Sequence, residues 1–263
     1  MAAGWDERHA YFEEIARPVT ERMLERLEPR PGQTILDIAA GTGVAGFAAA
    51  GLVGSEGRVI VSDFARGMVE AASRHATRLG LSNIECRVLD AEALDLPDDA
   101  VDGAICRWGY MLMADPAKAL AETRRVLRRG GRLACAVFTG PAENPWGALP
   151  VGVLVERGHM PPPEAGAPGL FALADRGRLR KLVVETGFAE ADAEEVPFTW
   201  RFAGPDDYWR FLQEAAGAVK IVLDQLDPDE RSRVGDEVRR RAASFGGSDG
   251  IELPGVSLVV SAS

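Results

Sequence analysis

The stretch "TILDIAAGTGVAGF", residues 34–47, decides how the chain is read. An apolar run leads to Asp37, a glycine turn follows at Gly41-Thr42-Gly43, and small apolar residues suited to a helix come next. Glycines after a strand let the backbone approach a ligand closely, and the helix N-terminus beyond them offers free N–H groups. A nucleotide-like ligand is therefore expected against this turn.

Outward from it, strands and helices alternate. "RVIVSD" (58–63) is a second strand, and a helix over 66–79 stops at Gly80 as a C-terminal cap. "IECRVLD" (84–90) and "VDGAICRW" (101–108) are a third and a fourth strand. "DPAKALAETRRVLRRGG" (115–131) reads as a helix closed by Gly130 and Gly131, leading into a fifth strand, "RLACAVF" (132–138). Such alternation implies α/β architecture, a mostly parallel sheet with helices on both faces. Ahead of it, residues 5–28 carry Tyr11, Phe12, Ile15, Val19, Met23, Leu24 and Leu27 at helical spacing, until prolines at 29 and 31 end the helix.

After Phe138 the rhythm breaks. Residues 139–170 are rich in Pro and Gly and read as loop with one short helix at 148–157. A helix near 173–186 ends at Gly187, "EADAEEVPFTWRF" (190–202) is a strand, helices fill 205–244, and "VSLVVSAS" (256–263) closes the chain as a last strand. The expected organisation is one domain: a helical cap (1–30), a ligand-binding core (31–140), and lid insertions with the completing strands (141–263).

In open parallel sheets ligands bind beyond the C-terminal strand ends. The residues there are Asp37-Ala39-Gly41-Gly43, Asp63-Phe64, Asp90-Ala91-Glu92 and Arg107-Trp108. "GTGVAG" (41–46), with Asp63 twenty residues after Gly43, satisfies the dinucleotide fingerprint literally. Asp37 and Asp90 oppose that reading, because a pyrophosphate beside carboxylates is repelled. A cationic cofactor bearing an adenosine fits instead. S-adenosyl-L-methionine carries a sulfonium and an ammonium and no phosphate, so the charges select it over NAD.

These motifs resemble a class I SAM-dependent methyltransferase of the ubiquinone/menaquinone-biosynthesis-like (type 11/25) small-molecule group. "ILDIAAGTG" is similar to that family's first motif and "VIVSDFARGMVEAA" to its second; the run from "VLDAEALDLPDD" to "RLACAVF" is similar to its strands three to five. The resemblance covers about residues 5–140 well and the rest loosely. It implies a Rossmann-like seven-stranded sheet of order 3-2-1-4-5-7-6. It further implies that Asp63 holds the ribose, that Phe64 and Met68 lie by the adenine, that Asp90, Ala91 and Glu92 read its edge, and that the Arg107 backbone meets the methionyl ammonium. Trp5 and Tyr11 correspond to aromatics that close over the methionine end. The family's acid-x-Gly-x-Gly-x-Gly has Ala39 for its first glycine, a change expected to be tolerated with φ negative. Asp102 opens strand four as the family's acid does and is expected to be structural.

Methyl transfer is an in-line displacement for which a dry site holding both partners in line supplies much of the acceleration. A general base is needed only for a nucleophile of high pKa. Of the three histidines, His75 in "SRHATR" is expected to be solvated and His9 to lie near the cofactor; His159, in the proline-rich lid, is the first choice for a catalytic base. Trp108, Tyr110, Met111, Trp146 and Trp200, with Met113 and Phe138, suggest an apolar, aromatic-lined acceptor pocket. No Asp-Asn cluster stands by the fifth strand, so no metal is expected. The competing readings are an NAD(P)-dependent oxidoreductase and a catalytically silent SAM-binding regulatory protein.

Bulk properties narrow the partners. The 263 residues carry 30 basic and 40 acidic side chains, a net charge of −10, which disfavours nucleic acid as a partner. Cys86, Cys106 and Cys135 are too scattered for zinc or a disulfide framework and suit a reducing, cytoplasmic setting. No run approaches the roughly 18 apolar residues of a membrane span, so no membrane insertion is expected. The remaining partner is a small-molecule acceptor; a homodimer is compatible with the sequence, and nothing in it forces one.

Overall fold

The computed structural model describes residues 8–164, 166–215, 217–247 and 249–263. Its centre is one sheet built from β1 (Thr34–Asp37), β2 (Arg58–Asp63), β3 (Ile84–Val88), β4 (Val101–Arg107), β5 (Leu127–Phe138), β6 (Ala191–Phe202) and β8 (Gly250–Ala262), with a two-residue β7 (Gly246–Gly247) paired to β8. The order is β3-β2-β1-β4-β5-β8-β6. This is the expected Rossmann-like path, the anticipated seventh strand being β8. The first five strands are parallel; β8 runs antiparallel between β5 and β6.

β1, β2 and β4 are buried along most of their length, as strands covered by helices on both faces must be, while β3 at the edge is only half-buried. Helices α1 (His9–Leu27), α2 (Val44–Val53), α3 (Arg66–Arg78), α4 (Pro116–Val126), α5 (Pro145–Glu156), α6 (Arg176–Glu185), α7 (Pro205–Ala215), α8 (Gly217–Gln225) and α9 (Pro228–Ala242) supply the cover. Local chemistry sets several starts. Asp115, Asp175 and Asp227 each accept a backbone N–H at a helix N-terminus, and in α4 and α9 the next residue is a proline that needs no partner there. The first helix packs on β5, β6 and β8, burying Phe12, Ile15, Val19 and Met23.

Two boundaries depart furthest from the sequence reading. The helix expected through Gly131 ends at Val126, because Leu127 turns extended and pairs with Val101. Arg132 then pairs with Gly103, so residues 128–131 form a bulge in which Gly130 takes φ 76°. The last strand starts at Gly250, six residues before the expected run. Pro254 and Gly255 disguised it, since both weaken a central strand. Here β5 stops pairing at Ser257, so Pro254 has a strand on one side only, opposite Thr199. Gly255 faces Phe198, whose ring a Cβ would strike at 2.5 Å. Asp102 is structural, as expected: it accepts the Thr34 N–H at 2.8 Å and pairs with Arg128.

Asn144, fully buried, joins the start of α5 to β8. Its Nδ2 donates to Thr139 Oγ1 (2.9 Å) and to the Val256 carbonyl (3.1 Å), and its Oδ1 accepts the Val256 N–H (3.0 Å). Asn144→Ala leaves buried backbone groups unpaired and is expected to lower stability by about 2–3 kcal/mol. That corresponds to a fall of roughly 5–10 °C in Tm. An unchanged melting curve would show that the junction does not depend on this amide.

Candidate active site

Because β3, β2, β1 and β4 are neighbours, their C-terminal ends form one continuous edge. The glycine turn is pinned there from both sides: Ile38 N–H donates to the Ile105 carbonyl and Ala40 N–H to the Ser62 carbonyl. Ala39, Gly41 and Gly43 take φ of 52°, 57° and 91°. The expectation of negative φ at Ala39 is thus corrected: the turn forces the left-handed region whatever residue stands there. Its methyl group is accommodated at Gly109, where a Cβ would lie 2.7 Å from both Ala39 Cβ and Cys106 Sγ.

Asp37 lies at the foot of the turn, 1% exposed. Its Oδ2 accepts the Gly46 N–H at 2.7 Å, whereas its Oδ1 has no hydrogen-bond partner. A Cβ at Gly46 would stand 2.8 Å from that Oδ2, so the third glycine of "GTGVAG" is required by the carboxylate and needs no dinucleotide to explain it. Burial pushes the Asp37 carboxyl up to about 7, against the opposing pull of Arg107 and the Gly46 N–H. Burial likewise brings Arg107 down to about 10. Part of Arg107 reaches solvent, yet its guanidinium turns inward, donates to Thr20 Oγ1 of α1 at 2.6 Å and lies 5.1 Å from the Trp108 ring centre.

The other strand ends complete the edge. Asp63 accepts the N–H groups of Gly41 and Ala65, each at 2.9 Å, and burial raises its carboxyl. Phe64 beside it is 77% exposed, an unusual position for a large apolar ring, and Met68 is half-buried one turn into α3. Asp90 lies two residues past the end of β3, which stops at Val88; its Oδ1 accepts the Glu92 N–H (2.9 Å) while Glu92 accepts that of Asp115 (3.0 Å). Ala91 between them is partly buried. An orphaned buried carboxylate oxygen and two further carboxylates on one edge fit a ligand with an ammonium and a diol, and not a pyrophosphate.

On the β5–β8 side the aromatic residues meet. Trp108, at φ 62°, stacks on Phe138 (4.8 Å between centres) and donates Nε1–H to Ser257. Trp146 and Trp200 lie 4.4 Å apart, Tyr208 donates to the Trp146 carbonyl, and the Trp200 Nε1–H, in a side chain 2% exposed, has no acceptor. Tyr11 leans on Trp200, donates to the Arg201 carbonyl at 3.0 Å, and has its phenol raised by burial. Tyr110 and Met111 are brought elsewhere: both are buried in a 3-10 turn after β4, with the Tyr110 hydroxyl against Thr123 of α4. Trp5 lies outside the described residues.

The histidines fall differently from expectation. His75 is 3% exposed, and the reading of it as solvated is corrected: its ring stacks on His9 at 3.9 Å and hydrogen-bonds Arg78. Its place among Val69, Ala72 and Ala76 on the buried stripe of α3 was the signal available in the sequence. His9 Nδ1 is 2.9 Å from Thr42 Oγ1, fastening α1 to the glycine turn. His159 Nε2 is 2.8 Å from Glu230 Oε1, and this contact, with Arg157 on Oε1 and Arg233 on Oε2, holds that carboxyl down to about 2. Among the described residues, no three His, Cys, Asp or Glu side chains are grouped to hold a metal ion, and no helix is long and apolar enough to cross a membrane.

The ubiE/COQ5 methyltransferase family matches residues 14–147. The chain is 31% identical over 242 residues to the nocamycin O-methyltransferase of Saccharothrix syringae, covering 80% of this chain and 84% of that one. It is 38% identical over 128 residues to the aklanonic acid methyltransferase DauC of Streptomyces sp. (strain C5), covering 49% and 57%. With the ubiquinone/menaquinone biosynthesis C-methyltransferase UbiE of Francisella philomiragia it shares 39% identity over 113 residues, covering 43% and 45%. The chain thus spans about half the length of the last two relatives. Among solved structures, the YcgJ protein of Bacillus subtilis superposes with a TM-score of 0.61 over 92% of this chain and 96% of that one at 20% identity, and a SAM-dependent methyltransferase from Aquifex aeolicus with 0.52 over 67% and 83% at 21%. At those identities the likeness is one of fold.

Ala39→Gly relieves a left-handed alanine, a strain of about 1–2 kcal/mol, and returns part of it as unfolded-chain entropy. A net stabilisation of roughly 0.5–1 kcal/mol is expected from urea unfolding; a loss of stability would contradict the positive φ. For Asp37, a folded value raised from 3.8 to about 7 means that the fold favours the protonated form. Its contribution is full below the unfolded value and is lost as pH rises from about 4 to 7, at ~1.4 kcal/mol per unit. Asp37→Asn is expected to remove that slope, so its stability relative to the parent should grow across this interval. Parallel pH–stability curves for the two proteins would refute the assignment.

Proposed function

The chain belongs to the ubiE/COQ5 methyltransferase family, and from that premise we propose that it transfers a methyl group from S-adenosyl-L-methionine to O, N or C of a small, largely apolar or aromatic metabolite. The observation that carries the reading is the unpartnered Oδ1 of buried Asp37 beside a glycine turn. A cationic ligand satisfies that atom; a phosphate does not.

In this reading Asp37 and the backbone of Arg107 receive the ammonium, Ala39, Gly41 and Gly43 line the passage, and Asp63 takes the ribose hydroxyls on its remaining lone pairs. Phe64 and Met68 flank the adenine, and Asp90, Ala91 and Glu92 bound its edge. Bound there, the sulfonium supplies an electrophilic methyl carbon. The chain's own contribution is to align the acceptor with it and to exclude water. Trp108, Trp146 and Trp200 form the acceptor wall on the β5–β8 side; Tyr110 and Met111, buried in the turn after β4 with the Tyr110 hydroxyl against Thr123, stand apart from it. Tyr11 on α1 closes over the site, and the raised phenol keeps it neutral there. Where the acceptor is a hydroxyl of high pKa, His159 is the residue offered for its proton. Glu230 holds Nε2, and Nδ1 has no hydrogen-bond partner among the described residues, an arrangement that orients an imidazole base.

The names of the relatives, a nocamycin O-methyltransferase and an aklanonic acid methyltransferase, support a small-molecule acceptor. So does the excess of 40 acidic over 30 basic residues, which disfavours a nucleic acid. Three free cysteines support a cytoplasmic setting.

S-adenosylhomocysteine at a hundred times its dissociation constant should stabilise the protein by about 2.7 kcal/mol, a shift of several degrees, while NAD gives none. Asp63→Ala should reduce that shift. A shift with NAD alone would return the dinucleotide reading, and adenosyl binding without turnover of any acceptor would favour a silent binding protein. His159→Asn should lower kcat by roughly ten- to a hundredfold with unchanged adenosyl affinity; full retained activity would leave alignment alone as the source of rate.

A further inference from the structure

A cavity of about 260 Å³ lies between the 3-10 turn after β4, the proline-rich segment and α6, and none of the edge carboxylates lines it. Its apolar lining comes from Met111 and Met113 of the turn, Leu173 of the segment and Leu182 of α6, and charged side chains of α6 complete it. The segment is fastened across the turn by the Gly169 N–H, which donates to the Met111 carbonyl at 2.9 Å.

The charges on this cavity do not cancel. Lys181 is paired with Glu185 at 3.6 Å, and both line it. Elsewhere on α6, Arg176 pairs with Glu195 and Arg180 donates to the Ala191 carbonyl. Arg178 differs. Its backbone N–H is capped by Asp175, but among the described residues its guanidinium has no hydrogen bond and no ion pair, and its Nη2 comes within 3.5 Å of the Cβ position of Gly166 on the cavity wall. One uncompensated guanidinium over a thioether and leucine lining is the chemistry that receives one carboxylate on an apolar body. At 260 Å³ the space falls just below the roughly 300–1,000 Å³ of pockets for drug-sized ligands. A single ring or a short acyl chain fills it.

We propose that this cavity binds a small organic monoanion, with its carboxylate on Arg178 and its apolar body against Met111, Met113 and Leu173. The floor residue Tyr110 directly follows Gly109, which abuts the methyl of Ala39 in the glycine turn, so the occupied cavity adjoins the turn that the cofactor requires. The ligand is either the carboxylate-bearing part of the methyl acceptor or a separate effector; the first of these rests on the function proposed above, and the existence of the site does not.

The test is a titration of the protein with benzoate and hexanoate, and with neutral benzamide, followed by calorimetry and by the 13C-methyl signals of Met111 and Met113. Both anions should bind at millimolar concentration and shift those two methyl signals. Benzamide should bind at least tenfold more weakly. Arg178→Gln should lose at least tenfold in anion affinity, with partial recovery in Arg178→Lys; the side chain is exposed, so both variants should fold. Absence of anion binding, equal binding of benzamide, unchanged affinity in Arg178→Gln, or shifts confined to other methyl groups would each overturn the proposal. Competition between benzoate and the methyl acceptor identifies an acceptor subsite, and its absence an effector site. If S-adenosylhomocysteine fails to bind while benzoate still shifts Met111 and Met113, the methyltransferase reading falls and the site stands; the converse result removes the site alone.

Discussion

One carboxylate organises the ligand-facing edge of this protein. Asp37 ends β1 in the middle of the sheet, where water does not reach it, and only one of its oxygens is satisfied from within. Several other features follow from that burial. Position 46 has to be glycine so that α2 can press its first turn on the acid, and Arg107 is drawn inward from β4 while remaining hydrogen-bonded to α1. A buried charge left partly unpaired is costly in the free protein. In the function we propose, the same deficit is what a cationic cofactor would relieve.

The cover over this edge is assembled from elements far apart in the chain. The first helix touches the glycine turn through His9 and Thr42, α3 through the His9–His75 stack, and β6 through Tyr11. Behind it, the insertion after β5 and the helices between β6 and β8 bring Trp146, Tyr208 and Phe211 around Trp200. Packed rings of this kind are stiff and interlock by shape. The aromatic wall is therefore a property of the antiparallel half of the sheet, while the charged edge belongs to the parallel half. The two meet at Trp108.

Two of the four non-glycine residues with positive φ among the described residues stand where those halves join. Ala39 and Trp108 both hold positive φ without being glycine, at the C-terminal ends of adjacent strands β1 and β4. Gly109 lies between them in space, stripped of a side chain because Ala39 kept one. Strained residues held by a well-packed surround are a common mark of sites that must present backbone groups to a ligand.

The sequence alone determined the alternation of strands and helices, the strand order through family likeness, and the line of acids and glycines at the strand ends. Those are local signals: periodicity, turn chemistry and spacing within a few residues. It misplaced what depends on neighbours. The last strand was hidden by Pro254 and Gly255, which are tolerated only because β5 ends at Ser257 and Phe198 fills the glycine's space. The helix before β5 was read too long because nothing local reveals that Leu127 pairs with Val101. Local polarity points His75 to solvent although it lies on a buried stripe, and residue preference gives the wrong sign of φ at Ala39 because the turn geometry outweighs it. Tertiary structure alone decided that Asp37 is half-satisfied, that His159 meets Glu230, that Tyr110 faces α4, and that Arg178 overlooks an apolar cavity. Each of these is a relation between residues distant in sequence, and only the packed chain sets such distances.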